Sequence, residues 1–442
     1  MRPATDPPQP SGPLALAPRL RRRRTTGPGA LRRALKHPRA MPYRRLIALV
    51  LLANAGALLA GAGRLPDLAA LTLANLAGAV LIRQQHVLNV LFGLAGRGSA
   101  GWPLWLRWSV SKVSHVGGLH VGCALAGTAW LCAFTVTALT RPATPTTRIV
   151  ASAIALLCLI VVAGALPLVR RRVHNVFELT HRFGGWCAVA LFWVLTLHLA
   201  LLGDEPAARA IASSWQVWVL ALVTLSIAAP WLRLRRVPVT IERPSGHAAI
   251  VTFAGGRAPA VASAVGISRS PLREWHAFAT VTTPGRDGFR LLVSRAGDWT
   301  GRFVDDPPSH LWVRGVPTAA PMARVEVLYE RVVYVATGSG IGPVLGQILA
   351  GRVDARLVWS ARSPRATYGD ALVDEVEAAH PHALIWDTTE RGKPDLLALA
   401  RDMSRGFGAE AVFVVSNQPT TRRIVHGLER LGIPAFGPIW DS

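Results

Sequence analysis

The chain has 442 residues, 51% of them hydrophobic, and carries 49 Lys and Arg against 25 Asp and Glu for a net charge of +24. It is too long for one domain and too apolar for an ordinary soluble protein, so two or three units are expected and one must sit in lipid. A nucleic-acid partner is not expected, because the arginines do not cluster beside exposed aromatics. They border apolar segments instead, in the first 45 residues, at Arg107, at Arg170 to Arg172 and at Arg233, Arg235 and Arg236. That is the positive-inside pattern, and it makes membrane lipid, with its anionic inner leaflet, the expected partner of the excess charge.

In chain order, residues 1–42 join Pro7, Pro8, Pro10, Pro13 and Pro18 to Arg19 and Arg21 to Arg24, a composition that buries no core. A disordered basic cytoplasmic arm is expected there, not a cleavable signal, since the first apolar stretch begins only near Leu46. Six apolar segments of membrane-spanning length follow, near 46–63, 68–85, 115–139, 148–169, 183–202 and 212–232. An even number returns the chain to the cytoplasmic side of the cell membrane, with Asp204 and Glu205 in an outer loop and both termini inside. Cys123, Cys132, Cys158 and Cys187 all lie in these segments without a Cys-x-x-Cys. An iron–sulfur cluster or structural zinc is therefore not expected, and the polar half suits a reducing cytoplasm.

From Val237 short alternating runs begin, such as Val239–Glu242, Ala249–Phe253, Phe278–Thr282 and Phe289–Val293, which predict a small antiparallel barrel over 237–326. Over 327–442 the rhythm becomes strand then helix. Strands are expected at 331–337, 356–361, 383–387 and 411–416, with helices near 343–350, 370–379, 394–402 and 419–431. This predicts a parallel, doubly wound sheet with its ligand at the carboxyl ends of the strands. The first strand runs into Thr337-Gly338-Ser339-Gly340-Ile341-Gly342-Pro343, where bare backbone N–H groups and a helix N-terminus can meet a phosphate.

With the helical segment 43–236 in front, this order resembles the ferric reductase and NADPH oxidase superfamily. Arg295 followed by Gly297-Asp298-Trp299-Thr300 resembles the oxidases' barrel motif, His276-Ala277-Phe278 the start of their flavin motif, and Gly338 to Pro343 their nicotinamide turn. Asn175 to Trp186 and the ending Phe436 to Ser442 look like the TmpA-type transmembrane oxidoreductases of fungi and bacteria. The resemblance implies a six-helix transmembrane bundle followed by a ferredoxin-reductase-like pair: an antiparallel β-barrel for FAD and an α/β doubly wound domain for NAD(P)H. It also implies an FAD-dependent NAD(P)H oxidoreductase passing electrons to an unidentified acceptor at or in the inner leaflet, a quinone or a single haem b. The alternative is a catalytically weak nucleotide-sensing regulator that keeps the fold.

In this scheme His276 and Arg295 neutralise a pyrophosphate, Phe278 packs on the ring system, and Trp440 shields the flavin. For Trp299 and Trp440 the residues alone leave a second reading, a barrel core residue and a docked C-terminal residue. Where the oxidases place Thr near the flavin N5 atom this chain has Ala279, with Thr280 one residue late. That offset points the hydroxyl to the opposite face, so a bond from Thr280 to the ring does not follow. Ser416 and Asn417 stand where relatives carry Cys-Gly, and Arg362 could grip a 2′-phosphate, though NADH users share it. The membrane histidines give no outer haem, because His198 has no partner histidine at its depth. One inner haem held by His181 with His120 or His115 stands open beside an interfacial network. In the latter, Asn175 and Glu178 cap the fifth span and Arg182 snorkels to headgroups.

Overall fold

The computed structural model describes residues 41–261 and 263–438; the N-terminal arm and Trp440 lie outside them. The first part is helical: α1 (Pro42–Leu59), α2 (Leu65–Leu81), α3 (Gln85–Ala95), α4 (Leu104–Val110), α5 (Gly117–Thr140), α6 (Pro145–Ala165), α7 (His174–Ala200) and α8 (Trp215–Leu232). Pro42 and Pro145 occupy first turns, where their missing N–H costs nothing, and the Thr144 hydroxyl accepts from the Thr147 N–H at the start of α6. Apolar faces of α2 and α5 bury Leu68, Leu73, Leu131 and Phe134, while Leu52, Ile149, Leu156 and Leu225 stay exposed on the outside of the helical region.

The helices allow five or six spans by length and composition. Five helical runs among the described residues are long and apolar enough to cross a membrane: α1, Leu104–Thr140, α6, α7 and α8. A sixth exists only if α2 and α3 count as one span, and they are bent by 70°. The second helix stops at Leu81, not 85, because Arg83, Gln84 and Gln85 break the apolar run and the Gln84 side chain caps α3 instead. The third begins at Leu104, not 115, with a 3-10 turn over Ser111–Val116 leading into α5.

The barrel is an antiparallel sheet in the order β1-β7-β4-β5-β6-β3-β2, with β8 off β4: β1 (Arg235–Pro238), β2 (Thr240–Glu242), β3 (Ala248–Phe253), β4 (Ser263–Ser268), β5 (His276–Val281), β6 (Phe289–Ser294), β7 (His310–Val313) and β8 (Thr318–Ala319). Helix α9 (Asp298–Asp305) plugs it with Trp299, Phe303 and Val304. Then comes a parallel sheet ordered β11-β10-β9-β12-β13: β9 (Arg331–Thr337), α10 (Ile341–Ala350), β10 (Asp354–Ala361), α11 (Asp370–Ala379), β11 (Leu384–Asp387), α12 (Leu396–Phe407), β12 (Ala411–Val415), α13 (Gln418–Arg430) and β13 (Ala435–Phe436). The middles of its central strands are apolar, Val332–Ala336, Leu357–Trp359 and Ala411–Val414, because helices cover both faces. The fold class is therefore an apolar helical region, an antiparallel barrel and a parallel α/β sheet.

One core crosses all three parts. Val281 and Leu292 of the barrel pack with Tyr334, Ile341 and Trp359 of the α/β sheet, and Ala95 and Trp108 from the helical part join them. Side chains of 82–116 then grip the soluble half. Arg107, buried, donates to the Leu328 carbonyl at 2.9 Å and to both Glu410 oxygens at 2.9 and 3.0 Å. Lys112 donates to Glu429 and to the Ala435 carbonyl and sits over the Phe436 ring. Asn89 holds Pro317 and Ala319, and Gln85 accepts from the Val316 N–H. Burial works to raise the Glu410 pKa, but Arg107 and the Glu330 N–H bring it below the usual carboxylate value.

Candidate functional site

The crest of the parallel sheet is a backbone surface. β9 ends at Thr337, Gly338 takes φ +54, and a 3-10 turn over Gly338–Gly340 opens directly into α10. A left-handed residue there favours glycine. A Cβ at Gly340 would lie 2.3 Å from the Val415 carbonyl oxygen, and one at Gly342 would lie 3.1 Å from Leu292 of the barrel. The turn is thus wedged between β12 and β6, with Ser339 and Pro343 half-buried beside it. The Gly338 carbonyl accepts from Trp359 Nε1 at 2.9 Å, which fixes the peptide plane.

Beside this turn Thr337 Oγ1 and Ser416 Oγ meet at 2.6 Å across the adjacent ends of β9 and β12. Asn417 follows, its side chain capping α13 through the Thr420 N–H. Four expected residues, Thr337, Gly338, Ser416 and Asn417, therefore converge at the carboxyl edge. Arg362 lies at the end of β10, exposed, and ion-pairs with no carboxylate among the described residues. Next to it Ser363 holds a left-handed φ of +37, its N–H bound by Asp387.

The barrel wall is built from side chains. His276 stacks on Trp299 with ring centroids 4.0 Å apart, and Phe278 stands 6.1 Å from the same indole. His276 Nε2 is buried without a hydrogen-bond partner, and burial pushes the imidazole below its ordinary pKa against the pull of Glu274. Trp299 is a core residue among the barrel strands, so its plainer reading holds in the structure. Thr300 Oγ1 accepts from the Ala296 and Gly297 N–H groups at 2.9 and 3.0 Å and closes the start of α9, leaving Asp298 exposed. Arg295 is exposed and paired with Asp305, and it donates to the Gly246 carbonyl.

Thr280 lies as its one-residue offset implies, and three other expectations need correction. Thr280 is fully buried and donates to the Ser263 carbonyl at 3.1 Å, so its hydroxyl serves the barrel and not the cleft. Position along β5 separates them: His276 and Phe278, at its start beside Trp299, stay half-buried, whereas Thr280, further along, is closed off by Ser263 and by Val281 of the α/β core. No capping box forms at Asn175 and Glu178, since α7 already starts at His174 and Glu178 faces His174 at 3.3 Å. Arg182 does not reach headgroups; it donates to the Leu272 and Arg273 carbonyls of the barrel at 3.0 and 2.9 Å. His115 is buried against the Lys112 carbonyl, which leaves His120 as the neighbour of His181.

His120 and His181 face one another at 6.3 Å between ring centroids. His120 Nδ1 is engaged with the Ala79 carbonyl at 2.8 Å, which leaves Nε2 available. If a metal ion or haem is held in the bundle, His120 and His181 are the residues that would hold it, and they would supply imidazole nitrogens to it. No group of three or more His, Cys, Asp or Glu able to hold a metal occurs among the described residues. His198 is instead bound to Thr144 Oγ1 at 2.7 Å.

Sequence reading missed the joint between barrel and bundle. Trp186, Trp231 and Trp275 form a chain of edge contacts at 5.2 and 6.1 Å, and Arg314 lies over the last two rings, its pKa pushed down to about 10 by burial. The sequence signal was Trp186 and Trp231 within apolar segments, with Trp275 lying apart in the barrel. It also passed over 82–116, whose polar Gln85, Asn89 and Ser111 in an apolar context mark a docking face.

The family described as the C-terminal domain of adenylate-forming reductase 03009 matches residues 322–442. The chain is 40% identical over 429 residues to adenylate-forming reductase 03009 of Coprinopsis cinerea and 38% over 426 to adenylate-forming reductase 06235 of the same organism. Each match takes in 94% of this chain but only 41% of that protein. Among solved structures, full-length CYP116B46 from Tepidiphilus thermophilus covers 47% of this chain and 29% of its own, with 22% identity and a TM-score of 0.40. A ferredoxin NADP+ reductase from Neisseria gonorrhoeae, with bound FAD and NADP, covers 47% of this chain and 99% of its own, with 15% identity and a TM-score of 0.36.

Proposed function

We propose that the chain is an integral-membrane flavoprotein reductase. FAD lies along β5 and the start of α9, NAD(P)H lies on the Gly338–Pro343 crest, and electrons leave for an acceptor in the inner part of the helical bundle. The observation that carries this reading is the shared wall: α10 packs so tightly on the barrel that a Cβ at Gly346 would stand 3.1 Å from the Thr280 carbonyl oxygen. A dinucleotide on the crest and a flavin on the barrel would therefore meet. Bound there, FAD would accept a hydride and release its electrons singly.

The residues have separable roles in this scheme. The crest holds the nicotinamide dinucleotide's phosphates by backbone N–H groups at the α10 N-terminus. Thr337 and Ser416 position the nicotinamide, and the unpaired Arg362 takes the ribose end. His276, with its orphaned Nε2, and Arg295 bind the pyrophosphate, Phe278 backs the ring, and Trp440 covers it. His120 and His181 would hold a single haem b as the first acceptor, and a quinone is the acceptor if they do not. In the longer Coprinopsis relatives, whose names join adenylate formation to reduction, we assign the matching part to the supply of reducing equivalents. Protein purified in detergent should show stoichiometric flavin absorbance. Its absence, persisting after added FAD, would contradict the reading.

A second reading, a nucleotide-sensing membrane regulator with little turnover, draws support from two features: Ala279 offers no hydroxyl on the cleft face, and the Ser416 hydroxyl is already tied to Thr337. The two readings part on the rate at which nicotinamide bleaches bound flavin.

A further inference from the structure

We propose that the inner end of the bundle carries a binding site for the phosphate of an anionic lipid, formed by Arg83 and Arg170 on either side of the His120–His181 pair. Arg83 follows α2 by one turn from Ala79, whose carbonyl binds His120. Arg170 lies over the Phe177 ring at 5.4 Å, and Phe177 in turn meets His181 edge-on at 5.5 Å. Arg83 and Arg170 also act electrostatically on one another and on His181. Four basic side chains, from the turn after α2, from α5, from α7 and from the short helix Pro167–Arg172, thus gather around one spot.

Their charge has no internal answer. Neither guanidinium makes a hydrogen bond or ion pair among the described residues, and the groups acting on Arg83 are the Tyr43 phenol and a further cation. Like charges drawn together without a carboxylate are a cost unless an anion joins them. Arg83 is exposed and Arg170 half-buried, so a ligand can reach both. The rim there is apolar: Leu168, Val169, Val176, Leu179 and Phe183 are all exposed. A phosphate between arginines with acyl chains over that rim matches both halves of the surface, and basic pockets between membrane helices on the inner side take such headgroups.

The full chain, purified and exchanged into vesicles of phosphatidylcholine alone or with phosphatidylglycerol, is released into mild detergent and weighed intact. One phosphatidylglycerol should remain bound in preference to phosphatidylcholine. In Arg83→Gln with Arg170→Gln that preference should fall roughly ten- to thirtyfold, while Arg83→Lys keeps it and Arg235→Gln with Arg236→Gln leaves it unchanged. If the double variant fails to fold, the wild-type preference should still weaken as salt is raised. Displacement by millimolar inorganic phosphate would overturn the lipid source in favour of a free anion. Haemin added to the wild type provides the last arm: if the glutamine variants lose haem absorbance but retain phosphatidylglycerol, the arginines serve haem carboxylates and the proposal fails.

Discussion

The two surfaces proposed to hold the nucleotides are made of different material. On the α/β side the surface is backbone, with Gly340 pressed on the Val415 carbonyl and Gly342 on Leu292, so no side chain has room. On the barrel side the surface is side chains, with His276 and Trp299 stacked and Phe278 behind them. A backbone wall fails abruptly when anything is added, whereas a side-chain wall degrades one interaction at a time.

Gly340→Val attacks the first wall and should have the largest effect. The new branched side chain must displace β12, at a cost of about 3 kcal/mol, and nicotinamide binding measured by titration should disappear; retention of native affinity would show that the crest is not the binding surface. Next, Arg107→Ala leaves Glu410 and the Leu328 carbonyl without their donor. Glu410 is partly exposed, which limits the loss to about 2 kcal/mol. It should appear as a lower unfolding midpoint and faster proteolysis between residues 82 and 116, and unchanged proteolysis would show that this segment docks without it.

On the barrel wall the effects are smaller. His276 is held below its ordinary pKa in the empty site, and a bound pyrophosphate would raise it. Binding then takes up a proton between those two values, so FAD affinity strengthens as pH falls through the bound value and levels off below the empty one. We expect about tenfold between pH 8 and pH 6, abolished in His276→Gln; equal slopes in both proteins would remove His276 from the pyrophosphate. Smallest is Thr280→Val, which loses one hydrogen bond to Ser263, about 1 kcal/mol. Thermal stability should drop while the flavin reduction rate holds, and a tenfold slower rate would return Thr280 to the cleft.

What was legible follows the same division. β9 at Arg331–Thr337, the glycine turn and α11 at Asp370–Ala379 match their sequence periodicity to the residue, because a buried parallel strand and a glycine crest are local demands. The facing of Thr280 was also legible, from alternation alone. The end of α2, the true start of α7 and the partner of Arg182 were not: the first two turn on short-range polar groups inside an apolar pattern, the Gln84 cap and the His174–Glu178 pair, and Arg182 finds barrel carbonyls that no local pattern announces. The tryptophan joint and the Arg107–Glu410 grip join residues distant in sequence, which a single chain read in order does not pair.

The central claim is that a nicotinamide on the crest reaches a flavin on the barrel across the wall shared by α10 and β5. Stopped-flow mixing of the purified, FAD-loaded full chain with NADPH and, separately, NADH tests it most directly. Rapid bleaching of flavin absorbance by at least one of them is the predicted result. Tight binding of both without bleaching would contradict the reductase and leave the nucleotide-sensing regulator.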